Sequence, residues 1–446
     1  MATSLPHETR EEQALAEIAA TRVTPAGAWT SALLLLAILA VGSLMEGARS
    51  LRGEATAFAG GAPIPTPREL FERWRAVGPL TAHGELRAAL LGLEDRLGRE
   101  SALSATLRPA AQTVLARQLG YGNSQVLVGK KGWLYFRTEF DYLTGHPFLA
   151  PRELGRRRTA GARYAVAQPD PIPGLIALRD ELAERGIELV FFPVPVKAQV
   201  HPEPLVRFDA LHRGSRQRTG DYHEPDNPSF PELVRRLGEA GLPVYDALPD
   251  LRAAAATEVL YLATDTHWNA AGMRIAAAGL ARFLARETAL PSSPPSGLRR
   301  RGFAHVFQGD LTRILGKGLG GAIFADENTE LDEIVGLGDV PFSATAISGG
   351  DVLLLGDSYS LVFSAVEGGK SAGFAEQLAF ALDRPVRRSA KYAANDLADR
   401  VQWLRQDPAL LEGTRVVVYE VTARALASAD WTAGSIPPQS PQEREP

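Results

Sequence analysis

The chain contains no cysteine in its 446 residues. Disulfides, thiolate nucleophiles and Cys-ligated zinc are therefore excluded. A chain without cysteine suits either side of a membrane, so this absence does not place it. Lysine is scarce: only positions 130, 131, 197, 317, 370 and 391 carry it, against a combined Lys+Arg count of 48. Net charge is -4, and no basic field marks a nucleic-acid surface. No internal repeat is visible. With 45% hydrophobic and 22% charged residues, the bulk of the chain has ordinary globular composition.

Charge is also missing from one continuous run, "AWTSALLLLAILAVGSLM", residues 28–45. At a rise of ~1.5 Å per residue, such a helix nearly spans a ~30 Å hydrocarbon core. The expectation is a transmembrane anchor or signal-anchor; a cleaved signal peptide is the alternative. Arg10 and Arg22 precede the run among several glutamates, and Arg49 and Arg52 follow it, so charge does not fix its orientation. Residues 1–27 read as a short polar tail. Residues 46–120 read as a linker, with "GGAPIPTP" its clearest signal, and a helical stem in which Leu70, Trp74, Val77, Leu86, Leu90, Leu93 and Leu97 recur at helical spacing.

From residue 121 the pattern changes. "NSQVLVGKKGWLYFR" (123–137) predicts a hairpin about Gly129–Gly132. Apolar runs at 187–194, 242–247, 351–356 and 415–421 then alternate with helical stretches near 173–185, 231–240, 269–287, 371–382 and 395–406. Such alternation predicts an α/β domain, its mostly parallel sheet covered by helices on both faces, over 121–425. Residues 426–446, ending "PPQSPQEREP", read as a disordered tail.

Two polar motifs stand out. "LYLATDTHWNAAG" (260–272) places Asp265 two residues before His267. In extended backbone such a pair points the same way, so the carboxylate can fix the imidazole tautomer. A metal-ligand pair is the other possibility, although no further His- or carboxylate-rich cluster accompanies it in sequence. Asn269 suits the N-cap of the helix that follows. "DVLLLGDSYS" (351–360) puts Ser358 after an apolar strand and a turn-permitting Gly356. That is the edge where parallel sheets bind ligands, and Ser358 there could be a nucleophile or an ordinary turn residue. Two glycine-rich matches are weak: "GKGLGG" (316–321) lacks a good preceding strand, and "GGKS" (368–371) lacks the first glycine of a phosphate loop.

"TDTHWN" with a downstream "GDSYS" resembles the SGNH-like alginate O-acetyltransferase family, the AlgJ/AlgX group. "GKKGWLYF" (129–136), "FFPVPVKAQVHPE" (191–203) and "VVVYEVTAR" (416–424) resemble its segments in the same order. The resemblance covers about 121–425 and implies an SGNH-hydrolase-like fold with permuted motif order. It implies Ser358 as nucleophile, His267 as general base and Asp265 as orienting partner; no cofactor is expected, and the scattered histidines argue against a metal. Lys197, Trp268, Tyr359, Glu420 and Arg424 become candidates for substrate binding. The implied activity is transfer of an acetyl group, through an acyl-serine, to hydroxyls of an exported polysaccharide. A multi-span membrane O-acyltransferase would supply the acetyl. The implied place is the inner membrane, single-pass, with the catalytic domain periplasmic. The C-terminal carbohydrate-binding module of some members is not expected. A carbohydrate acetyl-esterase, or a catalytically silent glycan-binding scaffold, are the alternatives.

Overall fold

The computed structural model describes residues 25–54, 66–159, 165–205, 225–316, 324–345, 350–364, 368–392 and 395–436. Most of the "GKGLGG" stretch and the ends of both tails lie outside these. The chain divides into two units, residues 1–111 and 112–446.

In the first unit, Pro25–Leu51 is one continuous helix that extends the apolar run at both ends. Its Leu33, Leu34, Leu35 and Leu36 are exposed. It is long and apolar enough to cross a membrane and fits a single-pass anchor. At its far end Glu46 Oε1 accepts from Ala102 N at 2.6 Å, and Arg49 Nη1 donates to Glu100 O at 3.0 Å. Thr66 and Glu69 then form a capping box that starts helix Pro67–Val77. A second helix, Pro79–Glu100, follows after Gly78 and is tied back by Arg73–Glu85 at 3.1 Å.

In the second unit the expected hairpin forms. β1 (Val126–Val128) and β2 (Leu134–Phe136) pair antiparallel, with Lys131 and Gly132 at positive φ in the turn. The central sheet contains β3 (Glu188–Val194), β6 (Val352–Gly356), β7 (Val386–Ala390) and β8 (Val416–Thr422) in the order β3-β8-β6-β7, all parallel. Every residue of β6 and β8 is buried, because helices cover both faces. Each Val or Leu so placed contributes roughly 1.5–3 kcal/mol. One core face gathers Val190, Leu354 and Val418 with helices Ala270–Glu287 and Phe374–Leu382; the other gathers Phe191, Leu355 and Tyr419 with helices Pro171–Ala183 and Leu397–Gln406.

Two expectations are corrected, and one pair of strands is new. The run 242–247 makes only an isolated bridge, Val244 to Phe191, rather than a strand. A long antiparallel hairpin, β4 (Arg299–Phe307) with β5 (Glu327–Val335), was not foreseen. The domain also continues past 425: Trp431 and Ile436 are buried in the second core face, so the ordered chain reaches at least residue 436.

Candidate active site

The loop carrying Asp265 and His267 is built as a tight excursion. Tyr261 bridges Trp268, Leu262 N donates to His267 O at 3.1 Å, and Asn269 N donates to Leu260 O at 2.9 Å. Asn269 caps the next helix through Gly272 N, as its position predicts. Three further groups clamp the loop. Lys197 Nζ donates to the carbonyls of Leu262, Ala263 and Asp265 at 2.8, 3.0 and 2.7 Å. Glu327 of β5 accepts from Ala263 N and Thr264 N, each at 2.8 Å. Leu134 N of β2 donates to Ala263 O at 2.8 Å.

His267 Nδ1 lies 2.6 Å from Asp265 Oδ1, which also accepts the His267 backbone N–H at 2.9 Å. An ionised carboxylate there makes Nδ1 the protonated nitrogen and leaves Nε2 as the basic one. Nε2 is buried and has no hydrogen-bond partner among the described residues. Burial alone would lower the imidazole pKa, but the Asp265 charge and hydrogen bond prevail and raise it. Burial likewise opposes ionisation of Asp265, yet His267 and two backbone N–H groups hold its carboxyl below the usual range.

Ser358 begins the short helix Ser358–Leu361, at the carboxyl end of β6. Asp357 caps it: one carboxylate oxygen accepts from Tyr359 N and the other from Thr422 N, both at 2.8 Å. Beneath the turn, Glu420 Oε2 accepts from Asp357 N at 2.9 Å and Ser360 Oγ at 2.5 Å. A Cβ at Gly356 would meet Ser360 Oγ at 2.2 Å and Glu420 at 2.9 Å, so only glycine allows this approach. Tyr359 links the two motifs. Its hydroxyl donates to Thr266 O at 2.8 Å, and its ring stands edge-on to His267 at 4.7 Å between centroids.

Asp265, His267 and Ser358 together line one cavity of about 440 Å³. That volume falls in the range of small-molecule sites. No hydrogen bond joins His267 Nε2 to Ser358. In a free enzyme such contacts are often long.

Residues 126–423 match the family model described as "SGNH hydrolase-like domain, acetyltransferase AlgX". The chain belongs to this family. It is similar to the probable alginate O-acetylase AlgJ of Pseudomonas putida, 26% identical over 313 residues, which cover 68% of this chain and 71% of that one. The probable alginate O-acetylase AlgJ of Pseudomonas syringae pv. tomato is 24% identical over 307 residues, 68% of this chain and 70% of that one. Among solved structures, the O-acetyltransferase domain of Pseudomonas putida AlgJ aligns at a TM-score of 0.49 and 22% identity, covering 69% of this chain and 94% of that one.

In this AlgX-type domain, four of the five expected substrate contacts sit elsewhere. Lys197, Trp268, Tyr359 and Glu420 are each fully buried, and none lines the cavity. Lys197 spends its three protons on carbonyls, and Trp268 packs among Phe192, Tyr359 and Phe374. These side chains hold the site from below, which their motif positions could not distinguish from sugar contact. Arg424 does line the cavity, paired with Glu139 at 3.0 Å.

Several lining residues escaped the sequence reading: Phe136, Thr138, Asp310, Arg313, Tyr392 and Asn395. Asp310 alters the metal question, because it joins Asp265 and His267 with ligand-type atoms within 4.8 Å of one another. Those atoms are engaged, however. Asp265 Oδ1 is shared by two His267 N–H groups, Asp265 Oδ2 accepts from Asp310 N at 2.6 Å, and Thr266 N and Oγ1 occupy the Asp310 carboxylate at 2.9 and 2.7 Å. The three residues form a hydrogen-bonded set in which every carboxylate oxygen already accepts at least one donor.

Proposed function

We propose that Ser358 is the nucleophile of an O-acetyltransferase, His267 its general base and Asp265 the group that orients His267. The observation that carries this reading is the 2.6 Å Asp265–His267 contact, with Nε2 unpartnered among the described residues and His267 and Ser358 lining one cavity. Ser358 Oγ attacks the acetyl carbonyl of the donor and its proton passes to Nε2. The Ser358 backbone N–H would face the developing oxyanion, since Asp357 already accepts from Tyr359 N and Ser360 N. The donor's leaving group takes the proton, which leaves acetyl-Ser358 and a neutral imidazole. An acceptor hydroxyl then gives its proton to Nε2 and attacks the ester, and Ser358 Oγ leaves with that proton. The acceptor is acetylated and the enzyme regenerated.

The acceptor in this reading is a hydroxyl of an exported polysaccharide, supported by relatives named as alginate O-acetylases. Helix Pro25–Leu51 would anchor the chain in the inner membrane with the domain outside the cytoplasm. A multi-span membrane O-acyltransferase would bring acetyl across. Arg424 is the one expected substrate contact that remains in the cavity wall, available to an acceptor's oxygens.

The test offers an activated acetyl ester with and without polysaccharide acceptors and measures acetylated sugar by mass. Acceptor-dependent sugar acetylation, lost in His267→Ala, supports the reading. Free acetate unaffected by every acceptor would make the protein an acetyl-esterase. Glycan binding without any turnover would make it a silent scaffold.

A further inference from the structure

Asp310 stands at the N-terminus of helix Asp310–Leu315 and is bound to the Asp265–His267 loop on three sides. Its backbone N–H donates to Asp265 Oδ2 at 2.6 Å. Its Oδ1 accepts Thr266 N at 2.9 Å, and its Oδ2 accepts Thr266 Oγ1 at 2.7 Å. That same Oδ2 lies 4.0 Å from His267 Nδ1. The preceding Gly309 makes the approach possible. A Cβ there would meet the Thr264 carbonyl oxygen at 2.1 Å and its Oγ1 at 2.5 Å, so no larger residue lets the helix start press against the loop.

We propose that Asp310 is a second anion of the His267 relay: a positioning residue that fixes Asp265 through its backbone N–H and steadies the imidazolium through its carboxylate. This rests on the reading of His267 as the base. The charge on the imidazole rises when it takes the Ser358 proton. Two carboxylates then face it, Asp265 from its own loop and Asp310 from the neighbouring helix. Arg424, beyond the last strand, opposes them, and it is partnered by Glu139 of helix Arg137–Thr144, whose carboxyl burial favours as the neutral acid. Lys197 lies below, on the Asp265 carbonyl. Burial, then the Asp265 charge, lift the Asp310 carboxyl to about 6, so it is ionised at neutral pH and available for this role. Its place in the cavity wall would also allow contact with substrate, and the experiment separates the two.

Asp310→Asn keeps the backbone N–H and an acceptor for Thr266 N but removes the charge. The membrane-inserted full chain would be assayed with an activated acetyl ester and acceptor across pH, with melting measured alongside. Removal of a nearby anion lowers the His267 pKa. The acidic limb of kcat/KM, which needs neutral His267, is therefore expected to move down by about one pH unit. The rate constant kcat should fall about ten-fold with KM nearly unchanged. Thr266→Val removes a hydrogen bond that holds the Asp310 carboxyl down, so Asp310 is less ionised across the acidic limb; the limb should again move down, which decides the matter if Asp310→Asn does not fold. An unmoved acidic limb, or a raised KM with kcat intact, overturns the proposal. His267→Ala separates the layers: if it is inactive while Asp310→Asn behaves as wild type, only this inference falls, and if it stays active the base assignment falls with it.

Discussion

Arg424 Nη1 donates to Glu139 Oε1 at 3.0 Å, joining the end of β8 to helix Arg137–Thr144 at the wall of the cavity. Glu139 is 1% exposed. Burial outweighs the attraction of Arg424 and Lys197 and lifts its carboxyl from 4.5 to about 7. The folded protein thus prefers the protonated form. The favourable contribution is complete below pH 4.5 and is lost as pH rises to about 7. Glu139→Gln should remove that slope, and its stability relative to wild type should rise across this window by on the order of 3 kcal/mol. Melting temperatures against pH check this; parallel curves for the two proteins would refute it.

Lys197 tests whether a motif lysine serves the substrate or the scaffold. Lys197→Met leaves three loop carbonyls without their donor. A loss of about 3 kcal/mol in stability is expected, since buried unpaired acceptors cost about 1–3 kcal/mol each and the loop can relax. Activity should fall through kcat, with acceptor KM unchanged. A selective rise in acceptor KM at wild-type stability would return Lys197 to the substrate.

Glu420 is pushed well above the ordinary carboxyl range by burial and then by the Asp357 charge, which favours the protonated acid under the Ser358 turn. Glu420→Gln preserves an acceptor for Asp357 N and Ser360 Oγ and should retain most activity. Glu420→Ala should lose about 1–3 kcal/mol of stability and lower kcat. Equal damage from both variants, measured by melting and turnover, would mean the acid itself is required.

The anchor reading predicts that the chain pellets with membranes after alkaline carbonate extraction. Leu36→Arg, near the middle of helix Pro25–Leu51, should release a large fraction, because a central arginine costs ~2.5–3.5 kcal/mol of insertion. Complete extraction of the unaltered chain would leave the helix without a membrane role.

What was legible in the sequence follows from where each signal is stored. β3, β6 and β8 were visible because a strand covered on both faces must be apolar throughout. β7, "VRRSA", was hidden by Arg387 and Arg388, which are buried yet paired: Arg387 Nη1 and Nη2 with the carbonyls of Gly350, Ala409 and Glu412, and Arg388 with Ser360 O and Glu376. The β4–β5 pair is a largely exposed ribbon rich in charge, with Arg299, Arg300 and Arg301 on one strand and Glu327, Glu330, Asp332 and Glu333 on the other, so it lacks the apolar run of a core strand. The Asp265–His267 contact is local and could be read from a spacing of two. Asp310 belongs to the same site only through tertiary contact, and nothing in "GDLTRIL" signals it. Burial decided the fate of Lys197, Trp268, Tyr359 and Glu420, and burial is not encoded in a motif.

The most direct measurement concerns Ser358 itself. The purified full chain would be exposed briefly to an activated acetyl ester without acceptor, and its intact mass and peptide map recorded. The account predicts one acetyl group, on the peptide carrying Ser358, which is absent in Ser358→Ala and discharged to sugar when polysaccharide is added. Undiminished acetyl transfer by Ser358→Ala, or stable acetylation at another residue that still discharges to acceptor, would contradict it.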